Sequence, residues 1–144
     1  EFAARGGKGR AYPWGDEVPT PQRANYDEAE IGHSSPVGIF PSGATPDGVL
    51  DLAGNVWEWC RDGWGSSVYE KRQPRVDDPE EPSEGRSARV VRGGSWGNPS
   101  QFLASAFRGG DRAGSRTRNL GFRCCLAAAA EHDSLGVESW VLSP

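Results

Sequence analysis

The chain has 144 residues, 35% of them apolar, and a net charge of −4. That length suffices for one domain with a real core, and the acidic balance argues against nucleic acid as the main partner. No run of about 18 apolar residues is present, which excludes a membrane-spanning helix.

The 20 Gly and 11 Pro require much turn and irregular backbone, while the six Trp offset the scarcity of aliphatic side chains. A small aromatic-rich core under long loops is expected, neither a helix bundle nor a regular barrel. No targeting leader is visible. "EFAARGG" lacks an initiator Met and reads as the end of a helix whose beginning lies elsewhere, so compartment stays open. The three Cys (Cys60, Cys124, Cys125) form neither a zinc spacing nor a disulfide framework.

In chain order, a helix end at 1–5 is followed by "GGKGRAYPWGDEVP", dense in turn formers. "SSPVGIFPSG" (34–43) reads as a short extended piece. "TPDGVLDLAGNVWEWCRDGW" (45–64) is the aromatic centre, with turns at Asp47-Gly48 and Gly54-Asn55. Residues 65–87 form a polar loop that includes the acidic "DDPEEPSEG". "ARVVRGGSW" (88–96) reads as a strand ending in a Gly-Gly kink. Residues 97–119 are polar and irregular apart from "FLASAF". "LGFRCCLA" (120–127) reads as a closing strand, and 128–144 as a tail.

Within "DLAGNVWEWC" (51–60) a carboxylate stands between two tryptophans. Strand side chains alternate, so Trp57 and Trp59 share one face and Glu58 shares the other with Val56. Local pattern alone leaves two readings open: a half-buried strand with a solvated Glu58, or an internal role for its carboxylate.

Four stretches, "EFAARGG…YPWGDE", "DLAGNVWEWCRDGW", "RVVRGGSW" and "SAFRGG…R…NLGFRC", together resemble the formylglycine-generating (sulfatase-modifying) family. This is a branch of the C-type-lectin-like folds. The resemblance covers residues 1–127 as the C-terminal part of such a domain. It implies an α+β fold with a small twisted antiparallel sheet and much ordered loop. It also implies a calcium ion held by the Asp51 side chain, the Gly54 and Val56 carbonyls and the Glu58 carboxylate, oxygen donors of the kind calcium prefers. Tryptophans 57, 59, 64 and 96 are expected as a rigid core, with Trp96 buried.

Catalytic members carry a copper-binding cysteine pair after the Gly-Gly kink, where Cu(I) selects soft thiolates. The matching positions here are Asn98 and Leu103, so copper is not expected. His33 and His132 are too few for a three-His iron site. Variable proteins of diversity-generating retroelements share this fold, and their rewritten segment lies between "RGGSW" and "GFR". Residues 97–119 contain no Lys, Glu, Met or Trp, as that origin implies, although Gln101 departs from the set.

The expectation is thus a non-catalytic module that presents a ligand-binding, hypervariable surface at 97–119 to a protein or other macromolecule. The alternative is a formylglycine-generating-type oxidoreductase, or another enzyme of the superfamily, acting on cysteine-containing substrates. Asn98, Phe102, Phe107, Asp111, Arg112, Ser115, Thr117, Arg118 and Asn119 are expected to face the ligand. Arg92, Arg108, Arg116 and Arg123 are expected as framework, each fork satisfying several loop carbonyls.

Overall fold

The computed structural model describes residues 1–65 and 87–124. The tail and most of the acidic polar loop, with Cys125 and His132, lie outside the described residues.

Helix α1 (Phe2–Arg5) is the expected short helix end, closed by Gly6 at φ 60°. From there to residue 56 the described backbone is loop, with single 3-10 turns at Asp27–Ala29 and Pro41–Gly43. The extended piece expected at 34–43 is therefore no strand. Its Pro and Gly deny it a ladder, and it is held instead by side chains.

The sheet has the order β3-β2-β1-β4, from β1 (Trp57–Gly63), β2 (Ala88–Arg92), β3 (Gly109–Arg112) and β4 (Leu120–Gly121). Strands β1 and β2 are antiparallel, with Glu58 opposite Arg92 and Trp59 opposite Val91, and the register shifts between Trp59 and Gly63. Strands β2 and β3 are also antiparallel, but β4 runs parallel to β1, pairing Trp57 with Leu120 and Glu58 with Gly121. The sheet is thus mixed where an antiparallel one was expected, because the chain reaches β4 by a long crossover rather than a hairpin. The described closing strand is two residues long, shorter than "LGFRCCLA" suggested.

Strand β3 interrupts a stretch expected to be irregular. "GGDR" has no β propensity; its backbone is recruited by β2. A side chain would not fit there, since a Cβ at Gly110 would lie within 2.3 Å of the Trp64 ring. Strand β2 ends where expected, at Gly93 and Gly94, both with positive φ.

The core is small. Ala24, Tyr26, Ala53 and Leu103 are buried together, with Tyr12, Trp14 and Ala29 packed against them, and Val90 and Val91 are buried in the sheet. The four tryptophans expected as core, Trp96 included, are only half-buried. Rings of that size do not fit inside so thin a core, and Trp57 and Trp59 wall surface spaces instead.

The Gly54-Asn55 turn joins the loops to the sheet. A Cβ at Gly54 would lie 2.4 Å from the Asn25 carbonyl oxygen, so only glycine permits this approach. Asn55 donates its backbone N–H to Asn25 O (2.7 Å) and its carbonyl accepts from Trp96 N–H (2.9 Å). Its side-chain oxygen accepts from Ser35 N–H (2.9 Å), and its amide donates back to Ser35 O (3.2 Å). Buried Asn25 donates to His33 O and Ser35 Oγ. Backbone groups that lack a ladder are satisfied here by asparagine side chains.

Candidate functional site

Strand alternation divides the "VWEWC" side chains as the sequence suggests. Trp57 and Trp59 open onto one side, and Val56 and Glu58 line a cavity on the other.

On the tryptophan side lie two adjoining spaces. The first, about 330 Å³, is walled by Trp57, Phe102 and Phe107, with Asp111, Thr117 and Asn119 adding polar groups. Phe102 and Phe107 meet edge to face at 4.8 Å, and Phe107 lies 5.9 Å from Trp57. The second is an open groove of about 560 Å³, flanked by Trp59, Ser115, Arg116, Arg118 and the 75% exposed Phe122. Thr117 and Leu120 line both, so the two are contiguous.

Seven of the nine residues expected to face a ligand line these spaces: Phe102, Phe107, Asp111, Ser115, Thr117, Arg118 and Asn119. Three of the seven are also held by internal side-chain bonds. Asp111 Oδ1 accepts from Ser115 Oγ (2.6 Å) and from Arg112 N–H (2.7 Å), and Asn119 donates to Ser95 Oγ (3.2 Å). Arg112 is exposed on the edge strand β3 and lines neither space.

Asn98 does not join them. Its side chain accepts from Ser95 Oγ (2.6 Å), its N–H donates to Ser95 O, and its carbonyl accepts from Asp27 N–H. It locks the turn after the Gly-Gly kink. Trp57, Trp59 and Leu120 were missed as lining residues, although the parity of "WEW" already placed both rings on one face.

The framework arginines divide three to one. Arg92 donates to Ser105 O, Ala106 O and Phe107 O and pairs with Glu1 at 2.8 Å. Arg108 lies over Trp64 at 4.6 Å and donates to Gly65 O. Arg123 donates to Leu50 O (2.9 Å), to Asp51 O (2.6 Å) and to both Glu58 oxygens. Arg116 is instead exposed and lines the groove. It sits in the turn between β3 and β4 and bonds to no carbonyl among the described residues.

The residues expected as calcium donors share one cavity. Asp51, Gly54, Val56 and Glu58 line one cavity of about 370 Å³ with Val37, Leu50, Phe122 and Arg123. Two carboxylates with two carbonyls suit a hard cation. Both Glu58 oxygens, however, face the Arg123 guanidinium, and Asp51 Oδ2 accepts from Gly38 N–H at 2.7 Å. An ion would have to take Glu58 from Arg123. The hydrogen bonds it donates to Glu58 raise Arg123 above its ordinary pKa, against the opposing effect of burial. Among the described residues no group of three or more His, Cys, Asp or Glu is gathered around a point.

The positions matched to the catalytic thiols hold Asn98, locked in its turn, and Leu103, which is fully buried. The described thiols lie elsewhere, Cys60 half-buried in β1 and Cys124 exposed past β4. Burial pushes the Cys60 thiol up; Arg92 works against this and Asp62 with it. Because the thiolate is the reactive form, iodoacetamide at neutral pH should modify Cys124 well before Cys60 in the folded protein. Peptide mass spectrometry over time would show this, and equal rates at both would mean that β1 opens readily.

The profile of the sulfatase-modifying factor enzyme 1-like domain matches residues 1–128. The chain is 39% identical over 138 residues to a formylglycine-generating enzyme of Streptomyces coelicolor, covering 86% of this chain and 43% of that protein. It is 38% identical over 151 residues to the inactive C-alpha-formylglycine-generating enzyme 2 of Mus musculus, covering 94% of this chain and 43% of the relative. The chain thus spans less than half the length of either relative. The solved structure of Treponema denticola variable protein 1 superposes with a TM-score of 0.62 at 27% identity, covering 84% of this chain and 42% of that one. Matched over nearly all its length by the domain profile, and similar both to a formylglycine-generating enzyme and to an inactive counterpart, the chain belongs to the sulfatase-modifying factor enzyme 1-like family.

Proposed function

We propose that this chain is a non-catalytic ligand-binding module that presents residues 97–119 on a C-type-lectin-like scaffold to a macromolecular ligand. The observation that carries this reading is the pair of contiguous surface spaces whose walls come largely from that segment. Aromatic side chains in an accessible hollow, ringed by Ser, Thr, Asn and Arg, make a paratope-like mixture. The family likenesses to an inactive formylglycine-generating protein and to a variable protein agree with it. Hypervariability belongs to the same reading. A near-copy of the codons for 97–119 beside a reverse transcriptase gene would support it, and a genomic locus without either would remove it.

Calcium at Asp51, Gly54, Val56 and Glu58 is a further part of the proposal, as a structural ion bound at about 2.3–2.6 Å. Among the described residues no helix is long and apolar enough to cross a membrane.

The test is to pan a random heptapeptide display library against the chain and against Thr117→Trp. Thr117 is exposed and lines both spaces, so an indole there should obstruct them at a stability change of about 0.5 kcal/mol or less. Binders should be recovered on the wild type and lost on the variant. Binders indifferent to the indole would move the site elsewhere. Conversion of a sulfatase-motif peptide cysteine to formylglycine would favour the oxidoreductase reading instead.

A further inference from the structure

From the charge and shape of the two joined spaces, we infer that the ligand is an acidic polypeptide segment carrying one bulky apolar anchor. The inference rests on the ligand-binding reading above and narrows it. The aromatic space is deep enough for a single ring or branched aliphatic group, walled by Trp57, Phe102 and Phe107. The groove that continues from it past Thr117 and Leu120 brings together Arg116 and Arg118, both exposed. Neither arginine has a hydrogen-bond or ion-pair partner among the described residues, in contrast to Arg92, Arg108 and Arg123.

Among the described residues the groove's own lining holds no carboxylate. Asp111 is engaged by Ser115 Oγ and the Arg112 N–H. Asp111 keeps its negative charge but stands in the adjoining space, so among the described residues the groove itself is a local positive patch on a chain whose net charge is −4. Two guanidinium forks match two carboxylates in planar, bidentate geometry. The overall negative charge disfavours a long polyanion, whose binding needs many phosphate contacts and long-range attraction. A short acidic peptide needs only the local patch. Its anchor would enter between the three rings, and its carboxylates would lie beside Trp59, where Arg116 and Arg118 project.

Heptapeptides enriched from the random library on the full chain should combine several Asp or Glu with one Phe, Trp, Leu or Ile. Fluorescence anisotropy of a labelled Glu-Glu-Glu-Phe-Glu-Glu-Glu peptide should show binding that weakens with added salt. The double variant Arg116→Gln/Arg118→Gln should weaken it by about ten-fold or more, and replacing the central Phe by Gly should do the same on the wild type. Both arginines are exposed, so the variant should melt with the wild type.

Enriched sequences that are neutral or basic, yet still lost on Thr117→Trp, would overturn the acidic-ligand inference and leave the binding module standing. Acidic binders unaffected by the double variant would also overturn it. So would binding of a twelve-residue oligothymidylate as tight as that of the acidic peptide. A library that yields nothing would sink both the inference and the reading beneath it.

Discussion

Truncating Leu103 to alanine should cost about 3 kcal/mol, within the roughly 2–5 kcal/mol range seen for buried leucines. Leu103 is 0% exposed and packs among Ala24, Tyr26 and Ala53, with Tyr12 and Trp14 close by. All of these neighbours but Tyr26 are small or only half-buried, so the site has little material with which to collapse onto the void. A domain holds only about 5–15 kcal/mol in all, and this one depends on few buried aliphatics. Chemical denaturation should show a lowered midpoint with an unchanged slope. A loss under about 1 kcal/mol would mean that Phe102 and the loop at 94–96 close over the gap.

The second large effect is expected at Arg123. Its guanidinium holds the Leu50 and Asp51 carbonyls and both Glu58 oxygens, tying the loop before β1 to the residues after β4. Arg123→Ala removes four hydrogen bonds and leaves a carboxylate facing an apolar wall of Val37, Leu50, Val56 and Phe122. Discounted for an Arg123 side chain that is 37% exposed, the loss should be about 2 kcal/mol. Calcium supplies a second readout. If the ion binds as proposed, calcium should raise the melting temperature, chelator should lower it, and Arg123→Ala, which frees Glu58, should sharpen the response. Curves of wild type and variant that ignore both calcium and chelator would mean that this cavity binds no calcium, with or without the guanidinium.

Much of this was legible in the residues, for reasons that differ from place to place. "WEW" and "RVVRGG" carry alternation and Gly punctuation, and β1 and β2 lie where those patterns put them. Strand β3 was not legible because "GGDR" has no strand-forming side chains; its pairing is imposed by β2 and the Trp64 ring. Arg123 could be read as framework because a fork beside irregular backbone has carbonyls to satisfy. Arg116 looked the same in sequence, yet it faces open groove, since nothing local encodes which arginine a loop carbonyl will reach. Asn98 failed as a ligand-facing residue for the opposite reason. Asparagine is as good at locking a turn as at reading a ligand, and here Ser95 engages it.

The parallel pairing of Trp57 with Leu120 has a consequence for how this architecture tolerates change. That contact closes a ring of roughly 60 residues, and the entropy of closing such a ring grows only with the logarithm of its length, about 0.6 kcal/mol per doubling. Inserting or deleting a few residues at the exposed 113–118 turn alters that closure term by well under this amount. On that term alone the turn can change in length at little cost. A library of different loop sizes could be grafted there at almost constant melting temperature, with folding slowed mainly by the distant strand partners that every member shares.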